Sequence, residues 1–227
     1  EVTNLIKESK WPTAGPQGHQ VANSCRFNAG SSDYLTRTPS SAGNRKTWTY
    51  SVWVKKCEEG TAEVSASQGE LLGAGGVNNQ NHIQFDVGAI LNIRYYNGSS
   101  NTIQLVPNKL FRDVSAWYHI VVAVDTTQGT ASNRIKLYIN GVQETSFSTA
   151  TYPSQNFQWD INSNVAQYIS RRGHSDAYFF NGYMAEVCFI DGTALAPTSF
   201  GEFNSQTGIW VPKSVTGLTF GTNGFYQ

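Results

Sequence analysis

The sequence predicts an all-β protein of antiparallel strands. Apolar and polar residues alternate with a period of two over short runs rich in Val, Ile, Tyr, Phe and Trp, and almost no run keeps a helical period past two turns. Polar turn-forming stretches separate these runs at short intervals: PSSAGNRK, GAGGVNNQN, NGSSN, DTTQGTASN and RRGHSDAY. Between two of the runs, KLYINGVQ reads as strand, tight turn and strand, because Asn140 and Gly141 can both take the positive φ of a type I′ hairpin. Regular strands with polar turns give a β-sandwich or a barrel.

In TWTYSVWVKK, Trp48, Tyr50, Val52 and Val54 fall on one face, with Thr49, Ser51 and Trp53 on the other. WYHIVVAVD sets Tyr118, Ile120, Val122 and Val124 against Trp117, His119, Val121 and Ala123, so it is expected to be a central strand covered on both sides. RIKLYI alternates Ile135, Leu137 and Ile139 against Lys136 and Tyr138, which buries one face and wets the other. HIQFDV, ILNIRYY, AQYISRR and GYMAEVCFI are further candidate strands, and GAGG at Gly73–Gly76 reads as a loop. At most one short helix is expected, around APTSFGEF, where Pro197 suits a first turn. Asn-Gly recurs at 97, 140, 181 and 223, near the length of a propeller blade, but the flanking residues share little and the spacing is coincidental.

Charged residues are only 14% of the 227, against roughly 25% in an ordinary soluble chain, so Asn, Gln, Ser and Thr wet the surface. Sixteen Lys and Arg balance sixteen Asp and Glu, which leaves no long-range field for nucleic acid or an anionic membrane. No apolar run is long enough to insert in a membrane. The chain begins at Glu1 without an initiator Met, which suits a removed leader or a piece of a longer protein. Cys25, Cys57 and Cys188 are too few and too scattered for a zinc cluster. Free thiols are expected, although Cys25 and Cys188 could pair if the chain ends meet.

AWYHIVVAVDTT, then RIKLYINGVQ, then YFFNGYMAEVCFIDGTAL, together with CRFNAGSSDYLTRTPSSAGNRKTWTYSVWVKK and FGEFNSQTGIWVPK, resemble the laminin-G-like, concanavalin A-like jelly roll in the variant found in virion proteins of tailed phages. The resemblance covers about Cys25 to Tyr226 and implies two stacked antiparallel sheets with the first and last strands adjacent. In that frame Trp117, His119, Leu137 to Gly141 and Gly182 to Glu186 are fold determinants. It divides the chain into an N-terminal arm at 1–19, a jelly roll at 20–195 and a C-terminal extension at 196–227 that packs on the sandwich or links it to a neighbour.

The same sandwich hosts glycoside hydrolases, which need paired carboxylates about 5–5.5 Å apart for a retaining mechanism. On one strand that means acids at i, i+2 or i+4, and the laminarinase-type Glu-x-Asp-x-x-Glu arrangement is absent. Glu186 is the best lone acid, with Met184, Cys188 and Ile190 as its same-face neighbours, and a structural hydrogen bond is its expected role. His19, His82, His119 and His174 have no zinc spacing, and His119 reads as a satisfied core histidine. Nucleophile-elbow, phosphate-loop and dinucleotide motifs are absent, so a non-enzymatic protein without a cofactor is expected.

Sugar recognition combines flat apolar faces with fixed donors and acceptors. Two loops offer that mixture: GGVNNQNH, with Asn78, Asn79, Asn81 and His82, and RRGHSDAY, with Arg171, Arg172, His174, Asp176 and Tyr178, while Tyr96 and Asn97 could join them. Asp125 or Asp176 could help hold calcium, but no loop has a dense oxygen pattern. Trp11, Trp159 and Trp210 lie in irregular stretches that could anchor termini or partner chains. The expected protein is a virion surface module, in a tail fibre or capsid decoration, that binds host-surface glycans and associates with other virion chains as a homo-oligomer. Its rivals are a purely architectural module and a secreted laminin-G-type adhesion domain.

Overall fold

The computed structural model describes residues 19–57 and 69–227, and the strand alternation read from the sequence sorts into two packed sheets. The strands are β1 (Cys25–Phe27), β2 (Leu35–Arg37), β3 (Thr47–Lys56), β4 (Gly69–Ala74), β5 (Gln80–Asp86), β6 (Ile90–Tyr96), β7 (Asn101–Pro107) and β8 (Tyr118–Asp125). They continue as β9 (Ile135–Ile139), β10 (Val142–Gln143), β11 (Phe147–Thr151), β12 (Gln167–Ile169), β13 (Gly182–Asp191), β14 (Gly201–Phe203), β15 (Trp210–Pro212) and β16 (Phe225–Tyr226). The first sheet runs β1-β13-β3-β8-β9-β10 with β16 also on β13, the second runs β11-β7-β6-β5-β4-β12-β2, and β14-β15 form a separate ribbon. The first and last strands therefore meet on β13. Among the described residues the only helical turns are 3₁₀, and Pro197–Ser199 stands where the short helix was expected.

Between the sheets, Trp48, Tyr50, Val52 and Val54 of β3 and Ile120, Val122 and Val124 of β8 pack on Ile83, Phe85, Leu91, Ile93, Ile103 and Leu105. A fully buried side chain of this size contributes about 1.5–3 kcal/mol. Trp159 is no anchor for a terminus or partner. It is sealed in this core, edge-on to Trp48 at 5.8 Å. Trp11 and the arm before His19 lie outside the described residues. GAGG is only half loop, since Gly73 and Ala74 belong to β4.

The other face of the first sheet is covered by the chain's C-terminal segment. Phe200 and Val215 close over Val121, Cys188 and Ile190, and Trp210 closes over Trp53 and Ala185. Trp53, His119 and Trp210 form a three-ring stack, with centroids 4.8 Å and 5.9 Å apart. His119 is fully satisfied: its Nδ1 accepts from Trp210 Nε1 at 2.9 Å, so its Nε2–H donates to Ser51 Oγ at 2.9 Å. Burial pushes it down to about 3, and it is neutral. The Asn140-Gly141 turn is tied to the same stack. Both residues have positive φ, Asn140 Oδ1 accepts from the His119 N–H at 2.8 Å, and a Cβ on Gly141 would lie 2.3 Å from the Trp210 ring.

Glu186 departs from the simple alternation. It sits at a bulge in β13 with φ +50°, and the extra residue resets the pleat. Met184 consequently packs in the main core while Cys188 and Ile190 face outward, so the three do not share a face. The Glu186 carboxylate ties the first described residue to the C-terminal strand, pairing with His19 Nε2 at 3.1 Å and accepting from the Tyr226 hydroxyl at 2.8 Å. All three thiols are free; Cys25 is exposed opposite Met184, whereas Cys188 is buried, so the Cys25–Cys188 bridge is not formed.

Candidate functional site

Strands β4 to β7 send apolar side chains inward, and the intervening polar residues fall on the outer face of the second sheet. Strand register then assembles a cluster from residues far apart in sequence. Glu70 lies opposite Gln84, which lies opposite Asn92; Gly73 lies opposite His82, which lies opposite Arg94. Glu70, His82 and Gln84 are completely buried, although they point away from the hydrophobic core.

The connection from β12 to β13 lies over this cluster. Arg172 donates to Gln84 Oε1 at 3.2 Å, the Tyr178 carbonyl accepts from the Glu70 N–H at 2.9 Å, and the His174 ring stands edge-on to His82 at 5.9 Å. Gly73 makes this approach feasible, since a Cβ there would be 2.6 Å from the Arg171 carbonyl. Aromatic rings flank the guanidiniums: Arg172 lies 3.2 Å over Tyr178, and Arg171 lies 4.3 Å over Tyr168 and 5.2 Å over Tyr34.

Glu70 and His82 form a neutral pair. Burial pushes His82 down to about 2, helped by the Arg94 and Arg172 guanidiniums, and burial raises Glu70 well above the usual carboxylate range although the same two arginines oppose it. His82 Nε2–H donates to Gln80 Oε1 at 3.3 Å, so Nδ1 accepts from the protonated Glu70 Oε2 at 2.9 Å. That leaves Glu70 Oε1 as a carbonyl-like acceptor. Six of the nine described residues with a buried, unpartnered side-chain polar atom lie here: Glu70, Asn92, Arg94, Arg171, Arg172 and His174. Buried polar atoms are nearly always paired, so this concentration sets the surface apart from the rest of the described chain.

The residues expected from the two loops divide between this surface and other roles. His174, Tyr178 and Arg171 are in or beside the cluster. Tyr96 ends the outward row of β6, opposite Gln80. Asp176 is exposed and bonds Arg171 at 3.0 Å. Asn78 is exposed next to Gly98. Asn79 and Asn81 both donate to Asp160 Oδ2, at 2.7 Å and 3.2 Å, and Asn81 is a buried residue of β5, not of a loop, that pins the 160 loop. His82 is likewise a strand residue and not part of a loop. Glu70, Gln84, Asn92 and Arg94 were missed. Their signal was present in HIQFDV and ILNIRYY, whose outward positions are polar apart from Ile90, but a set assembled across strands leaves no pattern along any one of them.

For metals, the Asp125 carboxylate is occupied by Thr127 and Gln128 in a local turn. Among the described residues no group of three or more His, Cys, Asp or Glu could hold an ion. Among them, too, no helix is long and apolar enough to cross a membrane.

A sequence profile described as the concanavalin A-like lectin/glucanases superfamily, of laminin G type, matches residues 29–198. The chain belongs to this superfamily. No curated protein sequence matches it. Among solved structures, the mouse laminin α1 chain, domains LG4-5, aligns with a TM-score of 0.52 at 13% identity, covering 78% of this chain and 43% of that one. The enzymatically active domain of tailspike protein 2 from bacteriophage CBA120 aligns with a TM-score of 0.50 at 13% identity, covering 77% and 26%. This superfamily member thus spans under half of the mouse chain and about a quarter of the tailspike chain, and at such identity the likeness is one of fold.

Proposed function

We propose that this domain is a non-enzymatic carbohydrate-binding module, displayed on a virion surface and directed at host glycans through the outer face of its second sheet. One observation carries the reading: unpartnered donors and acceptors are concentrated beside tyrosine faces on one side of a lectin-type sandwich. Sugars present that mixture of hydroxyls and flat C–H faces. The low charge and amide-rich surface suit a long-lived exposed particle component. A host polysaccharide array probed with the purified domain is expected to return at least one glycan class, with binding reduced at least tenfold in Tyr178→Ala. A blank array overturns the reading. Hydrolysis of a bound glycan that disappears in Glu70→Gln or Glu186→Gln overturns the non-enzymatic part.

A second reading, architectural packing in an assembly, is favoured by a different place. Val142, Phe203 and Ile209 are 61%, 55% and 63% exposed around the Trp210 anchor, an apolar patch suited to contact with a neighbouring virion chain or another copy. Both roles can coexist, because the patch and the cluster belong to opposite sheets.

A further inference from the structure

The chemistry of the cluster narrows the ligand class within the carbohydrate reading, on which this step rests. We infer that the outer-face site takes an acidic saccharide, with a carboxylate on Arg94 and Arg172 and neighbouring hydroxyls on Glu70 Oε1 and Asn92 Oδ1. The free atoms divide by type: Arg94 Nε and Arg172 Nε can only donate, whereas Glu70 Oε1 and Asn92 Oδ1 accept. A neutral sugar could serve the acceptors but would leave two guanidiniums without an anion. A bare inorganic anion would serve the guanidiniums and leave the acceptors unmet.

Charge points the same way. The carboxylates facing this set from the sheet are Glu70 and Asp86. Asp86 is already occupied, accepting from Gln84 and from Asn92 Nδ2 at 2.7 Å, and Glu70 is held uncharged by burial. Asp176 is spent on Arg171. The two arginines therefore carry more positive charge than their surroundings neutralise, and guanidinium matches a planar carboxylate in geometry as well as charge.

The cluster is enclosed, so entry requires the 171–177 segment to move. Ser170 and Tyr178, which bound that segment, both have positive φ, +69° and +62°, in the region that non-glycine residues avoid. Strain at both ends, with one side-chain bond from Arg172 to Gln84 and one backbone bond from the Glu70 N–H to the Tyr178 carbonyl, lets the segment swing about its ends.

Calorimetry with oligogalacturonate and its carboxyl-reduced counterpart, and with sialyllactose and lactose, tests the inference and separates uronate from sialate sources. At least one acidic sugar is expected to bind ten times or more tightly than its neutral partner and to weaken as salt rises. Arg94→Gln and Arg172→Gln are expected to lose tenfold or more, while Arg112→Gln, on an exposed site elsewhere, is unchanged. Hydrogen exchange should slow across 170–178 on binding. Equal binding of acidic and neutral sugars overturns this inference and leaves the carbohydrate reading standing; no binding of any sugar on a broad array overturns both. If the arginine variants misfold, the wild-type comparison of each acid with its neutral partner decides alone.

Discussion

The central strands of both sheets are covered on their outer faces, yet the two covers are completed in opposite ways. On the first sheet, the C-terminal segment seals the surface with Trp210, Phe200 and Val215, and both nitrogens of the buried His119 have partners. On the second, the 171–177 segment lies over a set of charged and amide groups that leaves atoms of six side chains unpartnered. Burial alone therefore does not tell the two faces apart. Satisfaction of the buried polar groups does so in degree: among the described residues the first face leaves only Trp53 Nε1 unpartnered, and an unmet donor or acceptor costs stability that only a ligand or water can return.

The largest expected effect breaks the sealed face. Trp210→Ala removes the last ring of the stack and the donor to His119 Nδ1, and should cost about 3–5 kcal/mol in chemical denaturation. Saccharide binding measured below the new midpoint should be unchanged, since the cluster lies on the other sheet.

Acid titration compares the buried histidines of the two faces. At pH 5.5 the native chain keeps His82 and His119 neutral, as their depressed values of about 2 and about 3 require, whereas the unfolded chain protonates both near 6.5. Unfolding thus takes up two protons there, and Glu70, whose native value is raised by burial, opposes part of that uptake by releasing protons on unfolding. The net uptake predicts that stability falls as pH drops from about 6.5 toward 4.5, by less than the ~2.7 kcal/mol per pH unit of two uncompensated protons. His174, half-buried and lowered to about 4, adds a smaller amount in the same direction. Glu70→Gln removes the opposing release and should steepen the slope toward ~2.7 kcal/mol per unit. Denaturation midpoints at pH 7.5, 6.5, 5.5 and 4.5 check both slopes.

The smallest effect sharpens the contrast. His174→Phe removes a group whose Nδ1 already lacks a partner, so stability should change by no more than about 0.5 kcal/mol, or rise, in the same denaturation assay.

Much of the architecture was legible residue by residue. The two-sided pattern of TWTYSVWVKK and WYHIVVAVD announced strands covered on both faces, and Asn140-Gly141 announced the hairpin. Glu186 was legible as a lone structural acid but not as a bulge, because a pleat reset has no composition of its own. The site was half legible. RRGHSDAY drew attention through its local mixture of charge and aromatics, whereas Glu70, Gln84 and Arg94 look ordinary within their own strands. Asn81 shows the opposite: it stands in an amide-rich run that reads as a loop, and only the fold buries it in β5 against Asp160.

By itself the sequence determined the all-β class, the alternation that gives each strand its two faces, and the hairpin at Asn140-Gly141, because these follow from local sterics and a period of two. Only the tertiary structure decided which buried face would be completed by the chain and which left wanting. Strand register places His82 beside Arg94 and Glu70 beside Gln84 from three different strands, and the path of the C-terminal segment satisfies His119 while nothing equivalent satisfies Arg94 Nε. Hydrogen-bond satisfaction is a property of neighbours in space, and those neighbours are chosen by the fold.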